Sequence, residues 1–196
     1  MELILLRHGV IRGNKEYRFI GTTDQPLTEE GEEMARRRGA AIPAVEHVFV
    51  SPLRRCLRTA ELVWPEPART ILPDLRETNF GRYEGKSSEE LREDKDYLAW
   101  LAAGCTTDMP TVEPRADCVL RAERALKEIV QVCKEKKLDR VGVVTHGGTI
   151  MALLSGFGCP ERAYRDWLTP NCGGWAVEVL EDGRVLKVLA PLEELK

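Results

Sequence analysis

The stretch LILLRHG at residues 3–9 decides the fold, and VGVVTHG at residues 141–147 repeats its pattern. Each is an apolar run followed by one polar residue, a histidine and a glycine. A strand that is apolar on both faces is typical of the middle of a parallel sheet covered by helices. Ligands of such sheets bind beyond the carboxyl ends of the strands. His8 and His146 are therefore both predicted at the ligand-binding edge.

The rest of the chain alternates strand patterns with helix patterns. Thr28 is a favourable cap for a helix that begins at Glu29 and ends near Arg38, because acids at the start and bases at the end suit the helix dipole. The pair Asp182-Gly183 between two apolar runs is a hairpin signal. Strands alternating with helices predict an α/β sandwich around a mostly parallel sheet. Further strands are predicted at 47–50, 71–72, 175–180 and 185–189, and further helices at 53–63, 88–101, 116–136 and 148–154.

Composition excludes several classes of protein. The 196 residues are 43% hydrophobic and 31% charged, and no repeat or linker divides them, so we expect one domain over residues 1–196. A net charge of −3 gives no global basic field for nucleic acid. No apolar run approaches the ~20 residues of a membrane helix, and no signal-peptide core is recognisable. We therefore expect a cytoplasmic protein that acts away from membranes, with its six cysteines reduced.

Arginines near predicted strand ends indicate an anionic ligand. Arg7 ends the first strand, and Arg54, Arg55 and Arg58 follow the strand at 47–50. A guanidinium presents a fork of donors that matches phosphate oxygens and keeps its charge at physiological pH. For Arg54 and Arg58, a solvated basic helix face is the better interpretation. The pattern favours a phosphate-like ligand near Arg7.

A metal is the alternative ligand for a histidine pair. Neither His8 nor His146 has a second histidine or a carboxylate three or four residues away on a helix, so local metal spacing is absent. We therefore expect no metal at this site, although the pair by itself leaves that interpretation open.

Five blocks in the right order resemble the histidine phosphatase family, which includes the cofactor-dependent phosphoglycerate mutases. The resemblance covers residues 3 to about 150 and implies a three-layer α/β/α sandwich of the phosphoglycerate mutase-like type. The blocks are LLRHG at 5–9 with Asn14, GTTDQPLT at 21–28 with Gly31, SPLRRCLRTA at 51–60, LRETNFGRYEG at 75–85, and VVTHGG at 143–148.

The resemblance also implies the reaction. His8 would attack phosphorus through Nε2 of its neutral ring and form a phosphohistidine, with the other ring nitrogen held by an acceptor such as a backbone carbonyl. Glu77 would protonate the departing ester oxygen and then deprotonate the water that releases phosphate. Glu84 is the nearest rival of Glu77 for this role.

The remaining site residues are assigned by the same resemblance. Their donors would stabilise charge on the transferring phosphoryl group, which is usually the largest catalytic contribution. The residues that would hold phosphoryl oxygens are Arg7, Arg55, Asn14 and His146. Further phosphate or substrate contacts are expected at Gly21, Thr22 and Gly147.

The sequence also departs from the family pattern. Val10 and Ile11 stand where glutamate and a hydroxyl residue are common, and Gly13 replaces a common tryptophan. Ile11 cannot donate a hydroxyl hydrogen bond, so one contact to phosphate or substrate is expected to be missing.

The acid-bearing loop resembles the branch of α-ribazole phosphatases and broad-specificity phosphatases. We therefore expect a metal-independent phosphomonoesterase without a cofactor, acting on a small phosphorylated metabolite such as α-ribazole 5′-phosphate. A phosphoglycerate mutase and a non-catalytic phosphate-binding protein are the alternatives. Residues 86–114 are expected to form a lid or specificity segment that covers the cleft. Its candidate lining residues are Tyr97, Trp100 and Leu101, for which packing in the core is at least as good an interpretation. The C-terminal hairpin leaves an edge on which a homodimer could form.

Overall fold

A computed structural model describes residues 1–105 and 107–192. Over these ranges the chain forms one seven-stranded sheet and six α-helices. None of the described helices is long and apolar enough to span a membrane. The strands are β1 (Glu2–Arg7), β2 (His47–Val50), β3 (Ala68–Ile71), β4 (Arg140–Thr145), β5 (Gly158–Cys159), β6 (Gly174–Leu180) and β7 (Val185–Pro191). The helices are α1 (Arg12–Lys15), α2 (Glu29–Ala41), α3 (Arg54–Val63), α4 (Lys95–Ala102), α5 (Arg115–Lys136) and α6 (Gly147–Phe157).

The sheet is mostly parallel, as predicted. Its strand order is β3-β2-β4-β1-β6-β7-β5, and among the described pairings only those of β6, with β1 and β7, are antiparallel. β1 and β4 lie side by side at the centre, with Arg7 opposite Thr145. The carboxyl ends of these two strands therefore reach the same point on the sheet edge.

Two helical layers cover the sheet, which confirms the three-layer sandwich. Successive side chains of a strand point to opposite faces. Leu3 and Leu5 accordingly pack in the cluster that contains buried residues of α5 and α6. Ile4 and Leu6 pack in the cluster that contains buried residues of α2 and α3. The continuous apolar run of β1 is therefore explained by burial on both faces.

A third buried cluster lies apart from the sheet, in and beside the segment predicted as a lid. The two clusters of the sandwich have no member in common with it. Residue 106 of the predicted lid at 86–114 lies outside the described residues, and the lid role stays a prediction. The third cluster consists of Tyr83, Leu91, Tyr97 and Met109, with Phe19, Phe80, Trp100 and Val112 packed against it.

One predicted helix boundary is wrong. The helix predicted over 88–101 begins only at Lys95. Asp94 is the reason, because its carboxylate accepts a hydrogen bond from the Tyr97 N–H at 2.9 Å and caps the helix. Residues 88–93 form turns before this cap.

A buried carboxylate ties the loop after β3 to α5. The oxygens of Glu113 accept from Arg76 at 2.8 and 2.9 Å and from Arg121 at 3.0 and 3.3 Å. Arg121 also donates to the carbonyl oxygens of Asp74 and Arg76, both at 2.7 Å. Burial opposes the charge on Glu113, but hydrogen bonds from Arg76, Arg121 and Asn79 outweigh it and lower its pKa to about 2. The network fixes the polar loop that follows β3.

Glu113→Gln is expected to lower the free energy of unfolding by about 3 kcal/mol at pH 7, because buried Arg121 would keep its charge without a carboxylate partner. Folding lowers the pKa of Glu113 from 4.5, so its contribution is complete above that pH and is lost as the pH falls toward 2. In urea denaturation, the difference between parent and variant should therefore be smaller at pH 3 than at pH 7. Glu128→Gln, an exposed change on α5, is the control. A difference that does not change with pH would contradict this account.

Candidate active site

The two predicted histidines meet beyond the ends of β1 and β4. The backbone N–H of His8 donates to the carbonyl oxygen of Thr145 at 3.0 Å, which extends the contact between the two strands. The imidazole centroids of His8 and His146 lie 5.2 Å apart with the rings inclined at 63°. Both side chains are buried, with exposed fractions of 3% and 0%. The parallel pairing of β1 with β4 therefore brings His8 and His146 together.

The tautomer of His8 follows from its hydrogen bond. Nδ1 lies 2.7 Å from the carbonyl oxygen of Gly9, and a carbonyl oxygen can only accept, so Nδ1 carries the proton. The lone pair of the neutral ring is then on Nε2. Burial lowers the pKa of His8 well below its ordinary value, and the positive charges of Arg55 and Arg7 lower it further. The ring is thus held neutral, with Nε2 as its nucleophilic atom.

Arg55 is a fully buried cation in the first turn of α3. Its Nη1 donates to the carbonyl oxygen of Thr23 at 2.9 Å and its Nη2 to that of Gly21 at 2.8 Å. Its Nε donates to Nδ1 of His146 at 3.2 Å. Three of the five guanidinium N–H groups are accounted for by these bonds. One N–H on each terminal nitrogen remains to receive an anion.

His146 takes part in this arrangement as an acceptor. Because Arg55 can only donate, Nδ1 of His146 is unprotonated, and Nε2–H donates to the hydroxyl oxygen of Ser51 at 2.7 Å. Burial lowers the pKa of His146 well below its ordinary value, with further lowering from His8 and Arg55. His146 therefore orients Arg55 in this structure, and a direct bond from His146 to a phosphoryl oxygen stays a prediction.

Arg7 presents an unsatisfied donor. Its Nη1 donates to the carbonyl oxygen of Thr169 at 2.7 Å, whereas its buried Nε has no hydrogen-bond partner among the described residues. Burial lowers the pKa of Arg7, the carboxylate of Glu77 raises it, and Arg55 lowers it. A buried donor without a partner is costly, and an anionic ligand would satisfy it.

The side-chain amide of Asn14 is held through its oxygen atom. Oδ1 accepts from the Ile11 N–H at 3.2 Å and from Nδ2 of Asn171 at 3.0 Å. The amide NH2 of Asn14 is consequently the end that is left to meet a ligand. The Ile11 side chain is only 1% exposed, so the apolar residue at this position contributes to the core.

Glu77 lies in the loop after β3, and its side chain reaches the first turn of α6. Its Oε2 accepts from the N–H of Gly148 at 3.1 Å, its Oε1 accepts from the N–H of Thr78 at 2.8 Å, and its exposed fraction is 8%. The hydroxyl of Thr149 donates to the Arg76 carbonyl at 2.7 Å and holds this loop against the helix. Helix and loop together therefore place one carboxylate at Gly148, two residues after His146. Gly147, the first residue of α6, lies against Arg7, and its part in phosphate binding stays a prediction.

The rival carboxylate, Glu84, has a different role. It accepts hydrogen bonds from the backbone N–H groups of Gly21, Thr22 and Phe80 and from the hydroxyl of Thr23. Burial opposes its charge, but these bonds outweigh burial and lower its pKa. Glu84 therefore joins two loops. Substrate contacts from Gly21 and Thr22 stay a prediction, because Glu84 already engages their N–H groups.

Three supporting residues were not predicted from the sequence as parts of the site. Ser51 accepts from His146, and the hydroxyl oxygen of Thr59 accepts from the Gly9 N–H at 3.0 Å. Both lie in the quoted block at 51–60, which was the available signal. Asn171 had no such signal, because it lies in a loop of the C-terminal part.

A cavity of about 260 Å³ adjoins Glu77 through Thr78 and Gly148. Its polar wall includes Arg115, which stacks on Tyr164 at 4.3 Å and donates to the carbonyl oxygen of Cys105 at 2.9 Å. Of the three candidate lining residues, Trp100 lies in the wall of the cavity. Tyr97 is instead buried in the third cluster and Leu101 is exposed, so for these two the prediction is wrong. The apolar and aromatic lining includes Phe19, Phe80, Trp100, Met109, Met151 and Tyr164.

Within residues 1–105 and 107–192, no group of three or more histidine, cysteine, aspartate or glutamate side chains is arranged to hold a metal ion. The six cysteines all fall in these ranges and none is in a disulfide.

Comparison with known proteins finds one family and several proteins of similar sequence and structure. The family described as "Histidine phosphatase superfamily (branch 1)" matches residues 3–190. The chain is 29% identical to a "Probable phosphoglycerate mutase GpmB" of Escherichia fergusonii, over 100% of this chain and 99% of that protein. The alpha-ribazole phosphatase from Shigella flexneri superposes with a TM-score of 0.79 at 26% identity, covering 96% of each chain. A phosphoglycerate mutase from Thermus thermophilus gives a TM-score of 0.70 at 34% identity, with 99% of each chain covered.

Gly148→Ala is expected to lower the free energy of unfolding by about 1–3 kcal/mol, because the added methyl would overlap Oε1 of Glu77 and the Thr78 hydroxyl. Gly147→Ala is the matched variant one residue earlier in the same helix. Its methyl would meet Arg7 no closer than 3.5 Å, which is an ordinary contact. Urea denaturation of the two variants should therefore separate them, and equal stabilities would show that the carboxylate is not packed against this turn.

Proposed function

The chain belongs to branch 1 of the histidine phosphatase superfamily, and from this premise we propose that it is a metal-independent phosphomonoesterase that forms a phosphohistidine at His8. The observation that carries the proposal is the state of the His8 ring. Its Nδ1–H is committed to Gly9, and burial beside two arginines keeps the ring neutral, so that a lone pair is available on Nε2. A nucleophile of this kind needs no separate base to activate it.

The first chemical step transfers the phosphoryl group to the protein. Nε2 of His8 forms a bond to phosphorus while the bond from phosphorus to the ester oxygen breaks. Glu77, entering the step protonated, gives its proton to the departing oxygen and leaves an alcohol. The unpartnered Nε of Arg7 and the two remaining N–H groups of Arg55 would bind the equatorial oxygens and stabilise their charge.

The second step returns the protein to its starting state. A water molecule attacks phosphorus, the bond from phosphorus to Nε2 breaks, and Glu77 takes the proton released by the water. The products are inorganic phosphate and the neutral imidazole of His8. The same carboxylate serves as acid and then as base, which requires that it lie on the side of the leaving group and enter the first step protonated. Its contact with Gly148, a residue of the cavity wall, supports that position.

The cavity supports a leaving group that is larger and less charged than glycerate. Its lining is rich in aromatic and aliphatic side chains, and the guanidinium of Arg115 in its wall already donates to the carbonyl oxygen of Cys105 and stacks on Tyr164. An aromatic base joined to ribose, as in α-ribazole 5′-phosphate, would bury apolar surface there. We therefore propose a small phosphorylated metabolite with an apolar part as substrate, with α-ribazole 5′-phosphate as its first candidate. One-domain organisation, a homodimer and a cytoplasmic location stay predictions.

Phosphoglycerate mutase activity is the second candidate, and it is favoured by the name given to the relative from Escherichia fergusonii. A mutase would return the phosphoryl group from His8 to a second hydroxyl of the substrate instead of to water. Incubation with 3-phosphoglycerate and a bisphosphoglycerate primer decides between the two. Interconversion of the monophosphoglycerates at a rate above hydrolysis would replace the phosphatase proposal.

The proposed phosphatase should hydrolyse p-nitrophenyl phosphate in the presence of excess chelator, and His8→Ala should abolish the activity. After rapid quenching with a labelled substrate, the label should be found on His8. Label on another residue, or activity that is lost with chelator and restored by one metal, would contradict the proposal. Binding of phosphate with no turnover of any phosphoester would indicate a binding protein instead.

Glu77→Gln should slow turnover by ~10²–10⁴-fold, the usual contribution of general acid–base catalysis. Phosphate affinity should change little, because the donors of Arg7 and Arg55 remain. Glu84→Gln provides the comparison, since its effect should come through the stability of the two loops it joins. Unchanged turnover in Glu77→Gln across the pH profile would assign the proton to another group.

A further inference from the structure

The loop at residues 168–173 closes over the end of β1. The N–H of Cys172 donates to the carbonyl oxygens of Arg7 at 3.1 Å and His8 at 3.2 Å, and Cys172 has the left-handed φ of 55°. Arg38 donates to the carbonyl oxygen of Cys172 at 2.6 Å. The carbonyl oxygen of Thr169 accepts from Arg7. The loop therefore makes its contacts with the strand that bears the proposed nucleophile.

Asn171, within this loop, faces three oxygens with one nitrogen. Its Nδ2 lies 3.0 Å from the carbonyl oxygen of His8, 3.2 Å from that of Gly9 and 3.0 Å from Oδ1 of Asn14, so its two N–H groups are shared among these three acceptors. Three acceptors around one atom fix that atom as the NH2 end of the amide. The orientation of Asn171 is thus set by the backbone of the nucleophile.

This orientation determines which end of Asn14 meets a ligand. Oδ1 of Asn14 is occupied by donors from Asn171 and Ile11, so a flipped Asn14 amide would bring NH2 groups against each other. The Gly9 carbonyl that accepts from Asn171 is the same one that accepts Nδ1–H of His8. One side chain therefore contacts both the group that fixes the His8 tautomer and the amide predicted to bind phosphate.

We propose that Asn171 is a positioning residue, which aims the NH2 of Asn14 at the phosphoryl group. The proposal deepens, and rests on, the proposed phosphohistidine function. Asn171 acts through Asn14 and need not touch substrate itself.

A double-mutant cycle on the full chain tests the coupling between Asn171 and Asn14. The affinity for inorganic phosphate is measured by calorimetry. Asn171→Ala should weaken phosphate binding about tenfold in the parent, because the Asn14 donor is no longer held in place. In an Asn14→Ala background, the same change should have almost no effect, since no amide remains to be aimed. Equal losses in both backgrounds would overturn the positioning role.

A spectroscopic signature separates aiming from general loosening of the loop. In the parent, the side-chain NH2 resonances of Asn14 should shift when phosphate is added, and in Asn171→Ala this shift should be lost. Asn171→Ser keeps one donor and should give an intermediate loss of affinity, which provides a second variant if the alanine variant is poorly folded. Gln131→Ala, which removes an exposed amide donor on α5, is the matched control and should bind phosphate like the parent.

The two proposals fail in different ways. A parent protein that binds no phosphate would overturn the proposed function together with the positioning role. The positioning role alone would be overturned if the parent binds phosphate and is labelled on His8, but the double-mutant cycle is additive. The Asn14 resonances would then also still shift with phosphate in Asn171→Ala.

Discussion

The parallel pairing of β1 with β4 is the interaction on which the site depends. Hydrogen bonds between the two backbones place Arg7 opposite Thr145, and the His8 N–H continues the contact one residue beyond the strand. The distance between the two imidazoles is therefore fixed by main-chain geometry. Burial of both faces of the sheet holds this register, because a shift of one residue would move every side chain of β1 to the opposite layer.

The site brings two arginines together in a buried place. Arg55 is fully buried, Arg7 has a buried donor without a partner among the described residues, and both histidines are kept neutral by burial and by these cations. The carboxylate of Glu77 acts on Arg7. Buried charge costs stability unless it is paired. The proposed phosphoryl dianion would pair with both arginines, so part of its binding energy would come from relieving this cost.

Much of this arrangement could be predicted from the sequence, and the exceptions have a common physical cause. The central strands and the positions of the two histidines follow from apolar runs, which are local patterns. The roles proposed for Arg55 and Glu77 rest on the family resemblance. The helix that ends at Ala102 was predicted to begin at residue 88. It begins at Lys95, because the side chain of Asp94 accepts a backbone hydrogen bond and caps the helix there. Asn171 was missed because its partners His8 and Asn14 lie 163 and 157 residues away in sequence. Contacts across such separations leave no periodic signal in the chain.

The third buried cluster is separate from the core of the sandwich, and this separation affects the cavity beside Glu77. Tyr83, Leu91, Tyr97 and Met109 are buried among one another and share no member with the two clusters that sandwich the sheet. Met109 of this cluster and the side chains packed against it also line the cavity beside Glu77. Substitutions there would therefore change the wall of the cavity without removing a packing partner of β1 or β4. The part of the protein that could select a leaving group is in this sense built separately from the part that holds the two histidines.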